Sequence, residues 1–202
     1  MTGRQDRVLS KNFILPFMEA ISEEIGQFSL RLVLRQAGHD SFADDWPDME
    51  NPALRSAEFA TILRCLREYY GRGARGLLRR VGRETWNAMV QTISPVRKAS
   101  FRLMKLAPRS YRTRLVLELL AEKLRGEGGE VSVHTQDLDF FLVDKTSDST
   151  IGQTASEPIC WSTLGMIQGA LYWADCMDVD IEEISCCATG AEACKFKITF
   201  II

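Results

Sequence analysis

The hydrophobic period of this chain changes once, at the glycine cluster Gly126, Gly128 and Gly129. Before it, apolar residues recur at helical spacing; after it, they alternate or run in short blocks bounded by turns. Residues 13–38 read as helical, with Pro16 permitted in a first turn, a break at Gly26 and Gly38 as the closing cap. The stretch 39–52 is turn-rich and reads as a loop. Residues 55–70 are amphipathic, with Phe59, Ile62, Leu63, Leu66 and Tyr70 on one side, and helices continue over 77–93, 95–106 and 111–125.

Beyond the glycines, 130–136 alternates Val131 and Val133 with polar residues, as a half-buried strand does, and 138–146 reads as a second strand. A loop over 146–158 precedes a helix at 160–177, along which Gly165 and Gly169 form a small-residue ridge. Two strands, 180–188 and 194–202, close the chain around the turn TGAEA, with Phe196, Ile198 and Phe200 inward and Lys195, Lys197 and Thr199 outward. Hairpins on either side of one helix imply an antiparallel sheet of the α+β class. The expected product is a single domain over 1–202. A mainly helical portion, 1–125, packs on a twisted antiparallel sheet of about four strands in 126–202, ordered β-β-α-β-β along the chain.

Composition narrows the class of function. The chain has 202 residues, 46% hydrophobic and 26% charged, a globular balance that leaves no place for disorder or a fibrous repeat. No apolar run approaches the ~18 residues of a membrane span, and the N-terminus lacks a secretory signal, so a cytoplasmic protein is expected. Charge falls into three blocks: net −4 over 1–54, +12 over 55–125 and −10 over 126–202, which together give the overall −2. The plain reading is a basic middle that packs beside the acidic C-terminal part or has a solvated face. The alternative is a basic surface for a partner or an anionic membrane; with a net charge of −2, nucleic acid is not expected.

Five of the six cysteines fall in the last quarter of the chain. Cys186 and Cys194 flank a turn containing Gly190, so a hairpin would bring their sulfurs together, with Glu183 on the same strand end. Cys160, at a helix start that favours thiolate, would supply a fourth ligand for zinc, which takes four ligands in a structural site. By spacing alone the alternative stays open that these are small buried apolar residues. Cys187 would point to the opposite strand face from Cys186, and Cys65 and Cys176 read as core filler on helices.

The segment from Ser156 to Ile198 resembles the V4R (4-vinyl reductase) domain, above all the version in sensor modules of bacterial regulators that respond to aromatics. The shared pattern is Cys160-Trp161 at a helix start, small residues along that helix, then Glu183-x2-Cys186-x7-Cys194 with a glycine in the turn. The resemblance implies that Cys160, Glu183, Cys186 and Cys194 hold a structural zinc. It further implies a fold shared with transport-particle subunits and haem-based NO sensors, a sheet with helices on one face, a homodimer, and an apolar cavity for a hydrophobic small molecule. The regulators continue into further domains after the sensor, whereas the sequence here stops on a strand at Ile202, so the expectation is signalling through a partner protein or simple carriage of the ligand.

The pocket is expected between helices and sheet. Trp161, Leu164, Gln168 and Tyr172 share a face by their spacing, with Phe140, Leu142, Trp86 and Met89 as further walls. Residue by residue, an ordinary packed core answers the same pattern. The preferred function is a non-enzymatic sensor or carrier of an aromatic, a hydrocarbon or a tetrapyrrole. Two rivals remain: an accessory protein or reductase of bacteriochlorophyll synthesis, suggested by the family's name, and an interaction scaffold. Independent reductase activity lacks a nucleotide signature, since the GxGxxG spelling at Gly71, Gly73 and Gly76 follows a helix rather than a strand. The two histidines, His39 and His134, read as a loop residue and an exposed strand residue.

Overall fold

Ser10 opens the first helix, its hydroxyl accepting the Asn12 N–H, and α1 runs Lys11–Ile25 with Phe13, Ile14, Phe17, Met18 and Ile21 buried along one stripe. Because the helix begins at Lys11, Pro16 stands in its second turn rather than its first. The computed structural model describes residues 6–46, 53–93, 106–176 and 178–201. Gly26 separates α1 from α2, Gln27–Gln36, as the sequence suggests.

The expected loop after it departs from expectation. Residues Asp40–Asp45 form a short helix, α3, with Phe42 and Trp46 buried and their rings stacked 6.1 Å apart. Burying two aromatic side chains repays the cost of ordering one turn that the polar composition disfavours. Helix α4, Ser56–Tyr70, starts where Glu58 accepts the Arg55 N–H at 2.7 Å and Asp6 accepts the Ala57 N–H at 3.0 Å. A single 3-10 turn, Gly71–Gly73, joins it to α5, Ala74–Gln91, so the GxGxxG spelling is a joint between helices. The helix expected over 95–106 lies almost wholly outside the described residues. Helix α6 is Arg109–Arg125.

Four strands follow, β1 Val131–Gln136, β2 Asp139–Asp144, β3 Val179–Ser185 and β4 Cys194–Phe200, with α7, Trp161–Trp173, between β2 and β3. The sheet is antiparallel throughout and ordered β1-β2-β4-β3, so α7 carries the chain from β2 to the far edge and β4 returns between. Phe140, Leu142, Cys194, Phe196 and Ile198 are buried on one face. Lys195, Lys197 and Thr199 occupy the other, as the alternation predicts. The architecture is α+β, with a helical N-terminal part and a four-stranded antiparallel sheet.

The tightest helix crossing is α5 on α7, and glycine makes it. A β-carbon on Gly82 would lie 2.8 Å from the Ser162 carbonyl carbon and closer still to its oxygen. One on Gly165 would meet Arg79 in the same way, 2.8 Å from its carbonyl carbon. The two backbones therefore touch directly. Ion pairs from the basic segment reach both acidic flanks: Arg55 to Asp6 at 2.6 Å, Arg80 to Glu24 at 2.9 Å and Arg109 to Asp178 at 3.4 Å. No described helix is long and apolar enough to cross a membrane.

Candidate metal centre

Three separate local structures converge beneath the edge of the sheet. Cys160 is the residue before the first turn of α7, at the end where a helix leaves its first N–H groups without partners inside the helix. Glu183 stands near the end of β3, on the strand face that looks inward. Cys186 and Cys194 begin and end the turn to β4. That turn contains a 3-10 segment, Cys187–Thr189, and Gly190 at φ 95°, a left-handed conformation that a side chain disfavours.

The sulfurs form a triangle. Cys160 Sγ is 3.4 Å from Cys194 Sγ and 3.8 Å from Cys186 Sγ, and the last two are 4.0 Å apart. A tetrahedral ion with thiolates at about 2.3 Å requires edges of about 3.8 Å. Donor atoms of all four residues lie within 4.8 Å of one another, and all four residues are buried. Glu183 Oε2 accepts the Cys160 main-chain N–H at 3.0 Å, while its Oε1 is buried with no hydrogen-bond partner. A buried, unpartnered carboxylate oxygen beside three thiols is a costly arrangement unless a cation completes it. The donor set fits a metal.

Electrostatics agree. Burial, and then the neighbouring Cys186, push the Glu183 carboxyl up to about 8. Contacts with Cys186 and Cys194, with burial added, push the Cys160 thiol upward. Acidic groups crowded in one dry volume oppose one another's ionisation, and a divalent cation reverses that preference.

The surroundings hold the cluster in place. The Cys187 N–H reaches Cys194 Sγ at 3.2 Å, and Ser147 Oγ lies 3.6 Å from Cys160 Sγ. Ser147 is anchored by its N–H to Asp144 at 2.7 Å, and the Ala155 N–H bonds the Ala188 carbonyl at 2.9 Å, tying the 146–158 loop to the turn. Neither Ser147 nor the Cys187 main chain is marked in the sequence, because a supporting contact leaves no spacing pattern. Strand β3 ends at Ser185, after an irregularity between Glu183 and Ser185, rather than at residue 188. Cys187 thus sits in the turn, buried, and not on a strand face. Cys65 is buried in α4, and Cys176 is buried three residues past the end of α7.

The expected pocket residues divide. Trp86, Met89, Phe140, Leu142 and Leu164 are buried, and Trp161 is partly so. Gln168 and Tyr172 face outward, Tyr172 65% exposed, because α7 turns that part of the stripe away from the core. Gly169 meets Arg83 and Trp86 of α5. The small-residue ridge thus seats a helix rather than a ligand.

Comparison with protein families matches residues 150–200 to the V4R domain. No curated protein matches the chain. Among solved structures, an H-NOX protein from S. oneidensis in the Fe(II)NO ligation state aligns at TM-score 0.56 and 14% identity, over 96% of this chain and 100% of that one. An oxygen-binding H-NOX domain related to soluble guanylate cyclases aligns at 0.53 and 15%, over 96% of each chain. A structure from work on heme distortion in the H-NOX family aligns at 0.57 and 15%, over 94% of each. The segment that carries all four converging donors thus matches the V4R domain, on the fold of the H-NOX domains.

Proposed function

We propose that this protein is a non-enzymatic sensor or carrier of a hydrophobic small molecule, built as one domain whose C-terminal part is pinned by a structural zinc. The observation that carries the reading is the closed donor set of Cys160, Glu183, Cys186 and Cys194, buried and spaced for one tetrahedral ion. With four protein ligands no position stays open for water or substrate, so a bound zinc supplies folding energy rather than chemistry. Cys160 then holds the start of α7, Glu183 the end of β3, and Cys186 with Cys194 the two arms of the turn.

The ligand half of the proposal draws on the V4R match and on the H-NOX fold, whose members are described with heme. Neither of the two histidines belongs to the buried core. His39 lies between α2 and α3, and His134 is exposed on the edge strand β1, 2.9 Å from Ser132 Oγ. An aromatic or hydrocarbon ligand suits the buried apolar side chains of Trp86, Met89, Phe140, Leu142 and Leu164 better.

Native mass spectrometry of freshly purified protein, set against the denatured mass, tests both halves. The expected result is a mass excess of one zinc ion, lost in Cys194→Ser together with part of the thermal stability. An organic adduct would identify the ligand class. A folded protein free of metal and adduct would leave the cysteines as core residues and shift the reading to an interaction scaffold.

A further inference from the structure

Three thiolates and one carboxylate around a dication leave the centre with two surplus negative charges, and all four ligands are buried. A charge surplus in a dry site is costly unless a counter-charge lies nearby. We infer that Arg67 of α4 is that counter-charge, its guanidinium offsetting the anionic centre formed when Cys160, Glu183, Cys186 and Cys194 hold a zinc ion. The inference rests on the zinc reading above.

The geometry around Arg67 is unusual for a structural arginine. Its Nη2 donates to Gln153 Oε1 at 2.9 Å, in the loop that leads into Cys160. Its Nη1 is buried with no hydrogen-bond partner. Helix α4 also packs on the turn Asp148–Thr150 of the same loop. Burial holds the guanidinium below its ordinary range, with Arg64 lowering it further, against an opposing pull from negative charge on Cys160 and, more weakly, on Glu68 and Cys186. An arginine remains charged in proteins, so a partly buried one without an anion is a liability. Protonated thiols supply no such anion; metal-bound thiolates do. Arg67 therefore costs stability in the metal-free protein and recovers it in the loaded one. Outer-shell groups of this kind tune metal affinity by about 10–100-fold.

The test compares the wild type with Arg67→Met, Arg67→Gln and Arg67→Lys, using zinc as the probe. Zinc affinity is read by competition with a chelating dye, stoichiometry by elemental analysis, and Tm with and without zinc. In the two neutral variants zinc binds about 10–100-fold more weakly, still one per chain at saturation. Their metal-free Tm is not lowered, so the rise in Tm caused by zinc shrinks. Arg67→Lys stays closer to the wild type in affinity. Equal losses of Tm in both forms with unchanged affinity would make Arg67 a simple packing residue and overturn the inference alone. A wild type that takes up no zinc would overturn the metal reading and this inference together. Should Arg67→Met not fold, Arg67→Gln carries the same comparison.

Discussion

Adding one methyl group at the α5–α7 crossing should separate glycines that seat the helix from glycines that merely occur in it. A β-carbon on Gly165 would stand 2.8 Å from the carbonyl carbon and 2.9 Å from the Cα of Arg79. Ordinary contact between carbon atoms begins near 3.5 Å, so the helices must part by roughly 0.7 Å or more, and the obstacle is backbone that has no rotamer to change. Overpacking of this kind costs about 1–3 kcal/mol and sometimes more. Alanine returns about 1 kcal/mol of helix propensity. The Arg79 carbonyl oxygen is closer still, which puts the steric cost at the top of that range or above it, so Gly165→Ala should lose about 2 kcal/mol net, or roughly 4–8 °C in Tm for a chain of this size. Gly82→Ala should behave alike, its obstacle being the Ser162 carbonyl, and it should also weaken zinc binding because Ser162 adjoins the Cys160 end of α7. Gly169→Ala meets Arg83 O and Trp86 Cδ1 at 3.2 Å, a strain small enough for propensity to offset, so the change should stay within about 1 kcal/mol. Gly76→Ala, on the exposed side of α5 with only the flexible Arg80 Nη1 3.5 Å away, should gain about 0.5–1 kcal/mol. Urea unfolding with unchanged m-values gives the four differences. A Gly165→Ala protein as stable as the wild type, or one no worse than Gly169→Ala, would refute the backbone-contact argument.

Two further outcomes follow from the same structure. Arg7 bonds both oxygens of Asp148, at 2.9 and 2.6 Å, and the C-terminal carbonyls of Leu124, Arg125 and Glu127. Arg7→Ala leaves a largely buried carboxylate with only the Ser56 hydroxyl at 2.6 Å and removes the donor to the part-buried Leu124 carbonyl, so urea unfolding should show a loss of about 2–3 kcal/mol; a loss under 0.5 kcal/mol would mean water replaces the guanidinium. Gly190→Ala forces a side chain into φ 95°, at a cost of about 1–2 kcal/mol, and should weaken zinc binding by distorting the turn between Cys186 and Cys194; chelator competition that shows unchanged affinity would mean the turn adapts.

The elements with strong periodicity are legible in the sequence alone. The break at Gly26, the helices α4 and α5, and the strand β4 with Phe196 and Ile198 inward all follow from the alternation or 3.6-residue recurrence of apolar side chains. Short or locally unfavourable pieces are not. The turn of α3 forms because Phe42 and Trp46 find a core, and β3 stops at Ser185 because the chain must bend to carry Cys186 toward Cys160. Gln168 and Tyr172 share helical spacing with Leu164, yet spacing sets only which residues neighbour each other, not which part of the stripe a second helix covers.

For the candidate centre the division is similar. The sequence by itself determined the donor chemistry: three cysteines and a glutamate, two of the thiols flanking a glycine turn, with spacing that a hairpin brings together. The sequence names Cys160 as the further donor, but only the tertiary structure brings it to the others, since its sulfur comes from the start of the crossover helix and meets Cys194 at 3.4 Å once α7 has docked. The tertiary structure also decided that Arg67, 86 residues away from Gln153 in the chain, bonds the loop that leads into Cys160. A ligand pair within one hairpin is specified by local geometry. A counter-charge supplied from a distant helix depends on the packing of α4 against the loop, and long-range packing leaves no mark in sequence spacing.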